Sequence, residues 1–263
     1  MSGADNLADM AAPLATGYRR FVTRRMVWLC ALAAALCLAT VVNVMTGPAG
    51  FSLGQVIDGL LHPDALEPGA YVILWEVRLP FALMAIVVGA CLGLAGAEMQ
   101  TVLNNPLASP QTLGVMYAAT LGASLAIVFN LAAPLGLPET YVVPVFAFAG
   151  AIASAAVILL LSRVYGATVD TVILFGIALV FALQALIQLI QFVADSDSLQ
   201  QIVFWTMGSL TRATWEKVAI VGAVFALCLP ASIRQVWAMT ALRGGEDYAR
   251  SYGVAVDRLR LTV

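Results

Sequence analysis

The sequence predicts an all-α fold, a polytopic bundle of transmembrane helices, and three observations predict it. Apolar residues make up 62% of the 263-residue chain and charged residues only 11%, whereas a soluble domain carries about 25% charge. A surface this poor in charge is not mostly wetted. The apolar residues gather into about six runs near the ~20 residues that a bilayer core demands. Between the runs stand the Gly, Pro and Asn clusters that break helices. Lipid offers no hydrogen-bond partner to an open backbone, so each run is expected to be helical.

Taken in order, the first run covers residues 26–45 and ends at Gly47-Pro48. The second covers 81–102 and the third 112–132, with Asn104-Asn105-Pro106 and Ser109-Pro110 between them. The fourth, 141–161, follows Gly136 and Pro138; the fifth covers 170–193 and the sixth 218–237. Residues 1–25 form a cytoplasmic N-terminal segment on this reading, and 26–263 one transmembrane domain.

Sidedness follows from the cations. Arg19, Arg20, Arg24 and Arg25 precede the first run, and Arg163 follows the fourth. Arg234, Arg243, Arg250, Arg258 and Arg260 lie at or after the end of the sixth. All fall on one side if the N-terminus is cytoplasmic, leaving Arg78, Arg212 and Lys217 on the other. Arginines before an apolar run also suit the start of an export signal. Here the run is as long as a full span and no cleavage site is evident after it, so anchoring of topology is the better reading.

Several functions are excluded. Net charge is −2 and no basic patch carries interleaved aromatics, so nucleic acid is not a partner. Cys30, Cys37, Cys91 and Cys228 sit in apolar runs without a CxxC pair. They read as small packing residues rather than metal ligands or a disulfide set. His62 is the lone histidine and builds no metal or haem site, so no cofactor is expected. No glycine loop ends in Gly-Lys-Ser or Gly-Lys-Thr, so the chain has no ATP site of its own. No catalytic constellation stands in the spans, which argues against an enzyme.

Inside the spans a few residues call for an account. Gly89, Gly93 and Gly96, with alanines around them, form a small-residue face that suits close helix packing. Glu98, followed by Gln100 and Asn104, is a charge near the cytoplasmic end of the second run: a transport-path group, or a side chain hydrated at the interface. Gln184, Gln188 and Gln191 recur at helical spacing on the fifth run. They line a translocation path, or they hydrogen-bond between helices.

Beyond the sixth run, residues 241–254 read as a break and a short helix. Gly244-Gly245 interrupts the chain, Glu246 and Asp247 suit a first turn, Arg250 a last turn and Gly253 an end. A short helix presented this way suits a partner's groove.

Four blocks, in order, resemble the permease subunits of bacterial ATP-binding-cassette importers for ferric siderophores, haem and cobalamin. They are Val77-Arg78-Leu79-Pro80; Gly96-Ala97-Glu98-Met99-Gln100 with Asn105-Pro106-Leu107-Ala108-Ser109-Pro110 and Leu113-Gly114-Val115; Phe204-Trp205-Thr206-Met207-Gly208-Ser209-Leu210 with Trp215; and Gly245 through Val254. The resemblance implies a fold of about ten spans in two inverted repeats, of which this chain holds the first five, the sixth and the loop after it. A C-terminal truncation is therefore expected. It implies that Gly245, Glu246, Asp247, Ala249, Arg250, Ser251 and Gly253 form the coupling helix that docks on a cytoplasmic ATPase dimer. It implies that Arg78 meets a carboxylate of a periplasmic substrate-binding protein, although Phe81 stands where a second arginine is usual. It further implies a second permease chain, a location in the bacterial inner membrane, and alternating-access import. Residues 99–106 look most like siderophore permeases, so a ferric siderophore is the expected cargo, with haem or cobalamin as alternatives. Rival readings are a secondary transporter, which would need ionisable groups near the midplane, and a truncated chain without function of its own.

Overall fold

The computed structural model describes residues 3–47, 50–166 and 168–262, and every regular element among them is helical. The chain packs as two compact units, residues 1–83 and 84–263.

In the first unit, α1 (Gly3–Met45) is one helix of 43 residues. The helix continues from Gly3 through the arginines into the span Gly17–Met45. It ends before Gly47, whose φ is +150°; Pro48, expected to help end it, lies outside the described residues. Ser52 then caps α2 (Leu53–Leu61) in a reciprocal box with Gln55, which satisfies two otherwise orphaned backbone donors. A 3₁₀ turn (Pro63–Ala65) leads to α3 (Pro68–Tyr71) and a π-helical stretch (Val72–Arg78), which pass without a break into α4 (Leu79–Val102). The second span thus runs from Pro68 to Val102, well ahead of the expected start at residue 81. Its first part was hidden because Trp75, Glu76 and Arg78 dilute the apolar signal. Val44, Val56, Leu74 and Ala82 form the core of this unit. Gly59 packs closely there: a Cβ would stand 2.9 Å from Leu74 Cδ2, so the leucine tips would have to shift to admit one. Trp75 Nε1 donates to the Gly59 carbonyl at 3.0 Å.

The second unit holds the end of α4 and then α5 (Val115–Val128), α6 (Ala132–Leu135), α7 (Glu139–Tyr165), α8 (Val169–Val193), α9 (Ser196–Met207), α10 (Trp215–Leu242), α11 (Glu246–Ser251) and α12 (Val256–Thr262). Helices α7, α8 and α10 are long and apolar enough to cross a membrane, as are Gly17–Met45 and Pro68–Val102. No more than 28% of the most apolar stretch of any of these five is buried within the chain. That much bare apolar surface belongs in lipid or against other protein.

The third expected span, residues 112–132, is a shorter helix than expected. Its helix, α5, has 14 residues, about 21 Å at 1.5 Å per residue, short of the ~30 Å hydrocarbon core. Residues on either side of it are turns. The physical reason lies in its surroundings. Ala118, Thr120, Gly122, Ala123, Ser124 and Ala126 are all buried, so α5 is walled by its neighbours. Irregular backbone at membrane depth is tolerated only where protein or a water-lined cavity covers it.

The contact between α5 and α7 sets the core of this unit. A Cβ on Gly122 would fall 2.2 Å from the Phe146 carbonyl oxygen, and one on Gly150 would fall 2.3 Å from that of Ala118. The two backbones touch, as small residues allow in membranes. Ala123, Ala126, Ala132, Val142, Val143 and Ala147 fill in around them. At the other end of α7, Leu103, Ala108, Ile158 and Val172 make a second cluster.

Candidate functional site

The 241–254 segment folds as its residues dictate. Gly245, with φ +112°, stands at the N-cap of α11; Glu246 and Asp247 occupy its first turn and Arg250 its last. Gly253 has φ +78°, a left-handed conformation that glycine adopts without steric cost. Ala249 is completely buried, packed with Leu242, Val254, Val256 and Leu259. The rest of α11 is turned outward: Asp247, Tyr248, Arg250 and Ser251 are exposed, as is Tyr252 just past its end. The Tyr248 and Tyr252 rings lie 4.7 Å apart, and the Tyr248 hydroxyl donates to that of Tyr252 at 3.2 Å. This bond, with the neighbouring phenol's charge, pushes the Tyr248 hydroxyl above its usual value of 10.0.

Three ion pairs hold the segment. Arg250 pairs with Glu246 at 3.8 Å and with Asp257 at 3.4 Å, and Arg260 pairs with Glu246. Arg260 Nε also donates to the Val102 carbonyl at 3.5 Å. Arg260 further borders a groove of about 290 Å³ with Met99, Ile158, Ser162 and Val172. The α11–α12 segment therefore sits at the same end of the unit as the 103–114 loop.

Arg78 lies in the first unit and points inward. Its side chain is buried: Nη1 donates to the Val44 carbonyl at 2.6 Å and to that of Met45 at 3.3 Å, and the guanidinium lies over the Phe51 ring at 4.8 Å. Nη2 is buried with no hydrogen-bond partner among the described residues. The fork thus caps the C-terminus of α1, where carbonyls lack intrahelical donors.

The remaining sequence-selected residues are not brought together into one site. Glu98 is half-buried and Gln100 exposed in the last turns of α4; Gln184 and Gln191 are half-buried and Gln188 exposed on α8. Gly89, Gly93 and Gly96 have nothing within 4 Å of a would-be Cβ, so among the described residues no side chain packs onto that face. The tight glycines are Gly122 and Gly150. The signal for the first was present in Ala118, Gly122 and Ala126, spaced by four.

Sequence reasoning also missed a cleft at the end of the unit opposite α11. It has a volume of about 730 Å³ and is lined by Glu139, Pro144, Gln201, Trp205, Arg212 and Lys217, among others. Asp195 caps α9 through the Ser198 backbone N–H at 2.8 Å and its hydroxyl at 3.1 Å, which holds the Asp195 carboxyl below its usual 3.8. Thr214 caps α10, and Lys217 Nζ donates to the Arg212 carbonyl at 2.9 Å. No periodicity announced this cleft, because its residues come from four separate segments.

Several bare apolar spans, with a short polar helix held out beyond one of them, define a multi-pass membrane protein. The chain belongs to the FecCD transport family, whose model matches residues 32–263. It is 30% identical to the ferric enterobactin transport system permease protein FepG of Escherichia coli, over 92% of this chain and 71% of that one. It is 31% identical to the molybdate import system permease protein MolB of Haemophilus influenzae, over 80% of this chain and 61% of that one. A solved metal-chelate type ABC transporter in an inward-facing conformation superimposes with a TM-score of 0.75 at 29% identity, covering 89% of this chain and 70% of that chain.

Proposed function

We propose that this chain is the permease subunit of an ATP-driven importer that carries a ferric siderophore across the bacterial inner membrane, with its N-terminus in the cytoplasm. The observation that carries this reading is α11: a short helix anchored by a buried alanine and three ion pairs, with its other face bare. Such a helix suits the groove of an ATPase subunit. Two ATPases closing on ATP would displace α11 in each of two permease chains, and the spans would follow. ATP binding achieves this only by favouring one permease state over the other through differential contacts. A periplasmic binding protein delivers the cargo. Docking through Arg78 would need its buried Nη2 to become reachable, since Nη1 is committed to α1.

Support for a siderophore comes from residues 99–106 and from the relative named for ferric enterobactin. The relative named for molybdate favours a second reading, a smaller oxyanion cargo. A ferric catecholate and molybdate are both anionic, and Arg212 and Lys217 give the cleft a cationic side that would raise the local concentration of either.

Replacing Glu246, Arg250 and Gly253 together in the complete transporter should leave ATP hydrolysis running without uptake. Retained coupling would overturn the reading. Uptake of a ferric catecholate siderophore, haemin and molybdate into proteoliposomes separates the cargoes.

A further inference from the structure

We infer that Arg260 is a positioning residue that ties α11 to the end of the span α4, so that the two move as one piece. The inference rests on the reading of α11 as the ATPase-coupling helix.

Three observations carry it. The Arg260 side chain is only 5% exposed. Its guanidinium pairs with Glu246, the first residue of α11, while its Nε donates to the carbonyl of Val102, the last residue of α4. And the apolar cluster that holds α11 to α10 and α12 contains no residue of α4, so the polar link is the tie that this packing does not supply.

The chemistry suits the task. The Val102 carbonyl is among the four at a helix end that lack an intrahelical donor, and a cation there complements the helix dipole. A guanidinium presents several donors in a rigid plane, so it can hold two acceptors at a fixed separation; an ammonium is a single point charge. A charge this deeply buried is costly to unpair, so the link should persist through a displacement rather than break. Coupling carried in this way passes through a discrete hydrogen-bonded network. Arg250 extends it by joining Glu246 to Asp257 of α12.

The test uses the complete transporter, with its ATPase and second permease chain, in liposomes. In R260M the cargo moved per ATP hydrolysed should fall roughly ten-fold, the scale on which such network mutations loosen coupling. The ATPase should still co-purify, and R260K should fall between R260M and the parent. Spin labels at Ala97 and at the exposed Arg258, in a cysteine-free background, read the tie, with α12 reporting for α11, to which the apolar cluster holds it. Their separation should stay constant between nucleotide-free and ATP-bound states in the parent and change in R260M. A parental transport ratio in R260M, or a separation that already changes in the parent, would overturn the inference. If R260M does not fold, the parental separation decides alone. Failure of the coupling reading itself has a different signature: D247K and Y252D, on the bare face, would leave ATPase binding intact.

Discussion

Arg78 Nη1 donates a 2.6 Å hydrogen bond to the carbonyl of Val44, 34 residues earlier in the chain. With the second bond to Met45 and the Phe51 ring beneath, the guanidinium closes the end of α1 onto the segment that leads into α4. Each buried group left unpaired costs about 1–3 kcal/mol. R78M should therefore lower thermal stability in detergent. R78K, which keeps a donor but not the fork, should fall between R78M and the parent. A variant with parental stability that nevertheless loses uptake would assign Arg78 to partner docking alone.

Gly122 and Gly150 admit no side chain. The would-be Cβ atoms meet backbone oxygens at 2.2 and 2.3 Å, and backbone cannot swing aside as a flexible side chain can. Overpacking of this kind costs about 1–3 kcal/mol or more, so G122A and G150A should each reduce folded yield and melting temperature. G93A meets open space and should leave both unchanged in the isolated chain. If G93A lowers instead the recovery of a two-chain permease, the Gly89–Gly93–Gly96 face is where a second chain packs.

The Tyr248–Tyr252 contact gives the bare face of α11 a pH dependence. The raised Tyr248 value means that the folded form holds its proton more tightly than an unfolded chain does. The contact is then fully in place below the ordinary tyrosine value of 10.0 and is lost as pH rises through the raised one. A titration followed by ¹³C-labelled tyrosine resonances should show Tyr248 ionising later than free tyrosine. In Y252F it should move back toward the ordinary range. An unchanged Tyr248 titration in Y252F would rule out the hydrogen bond as the cause.

The parts of this molecule that were legible in the sequence are those written in local chemistry. Spans at 141–161, 170–193 and 218–237 lie inside α7, α8 and α10 because twenty apolar residues in lipid have no option but a helix. The short helix at Glu246–Ser251 was legible because Gly245, the acidic pair, Arg250 and Gly253 are all end signals. What was not legible depends on distant partners. Residues at the edges of α5 are as apolar as a span, yet the chain turns there because α7 and α8 shelter it. Arg78 reads as an exposed cation until α1 is seen to end beside it. Arg260 is one arginine among several after the sixth span, and nothing local separates it from Arg258, which is exposed. The cleft near Arg212 and Lys217 is assembled from segments that no window of sequence spans.

The glutamines of α8 lead to the last prediction. Leu183 and Ile187 of α8 are buried, while Gln184, Gln188 and Gln191 sit beside them, half-buried or exposed, with no hydrogen bond among the described residues. A primary amide left bare to hydrocarbon is costly, so in the membrane this stripe needs water or another chain. The two cases respond differently to substitution. If the stripe borders a water-filled path, replacing all three by Leu should slow uptake at least several-fold while the two-chain permease still assembles. If it bonds another chain, the same variant should lose assembly, at about 0.6 kcal/mol for an average interhelical hydrogen bond. Normal uptake with normal assembly would remove the stripe from both roles. Size-exclusion chromatography with light scattering, run beside the uptake assay, reads the two outcomes from one preparation.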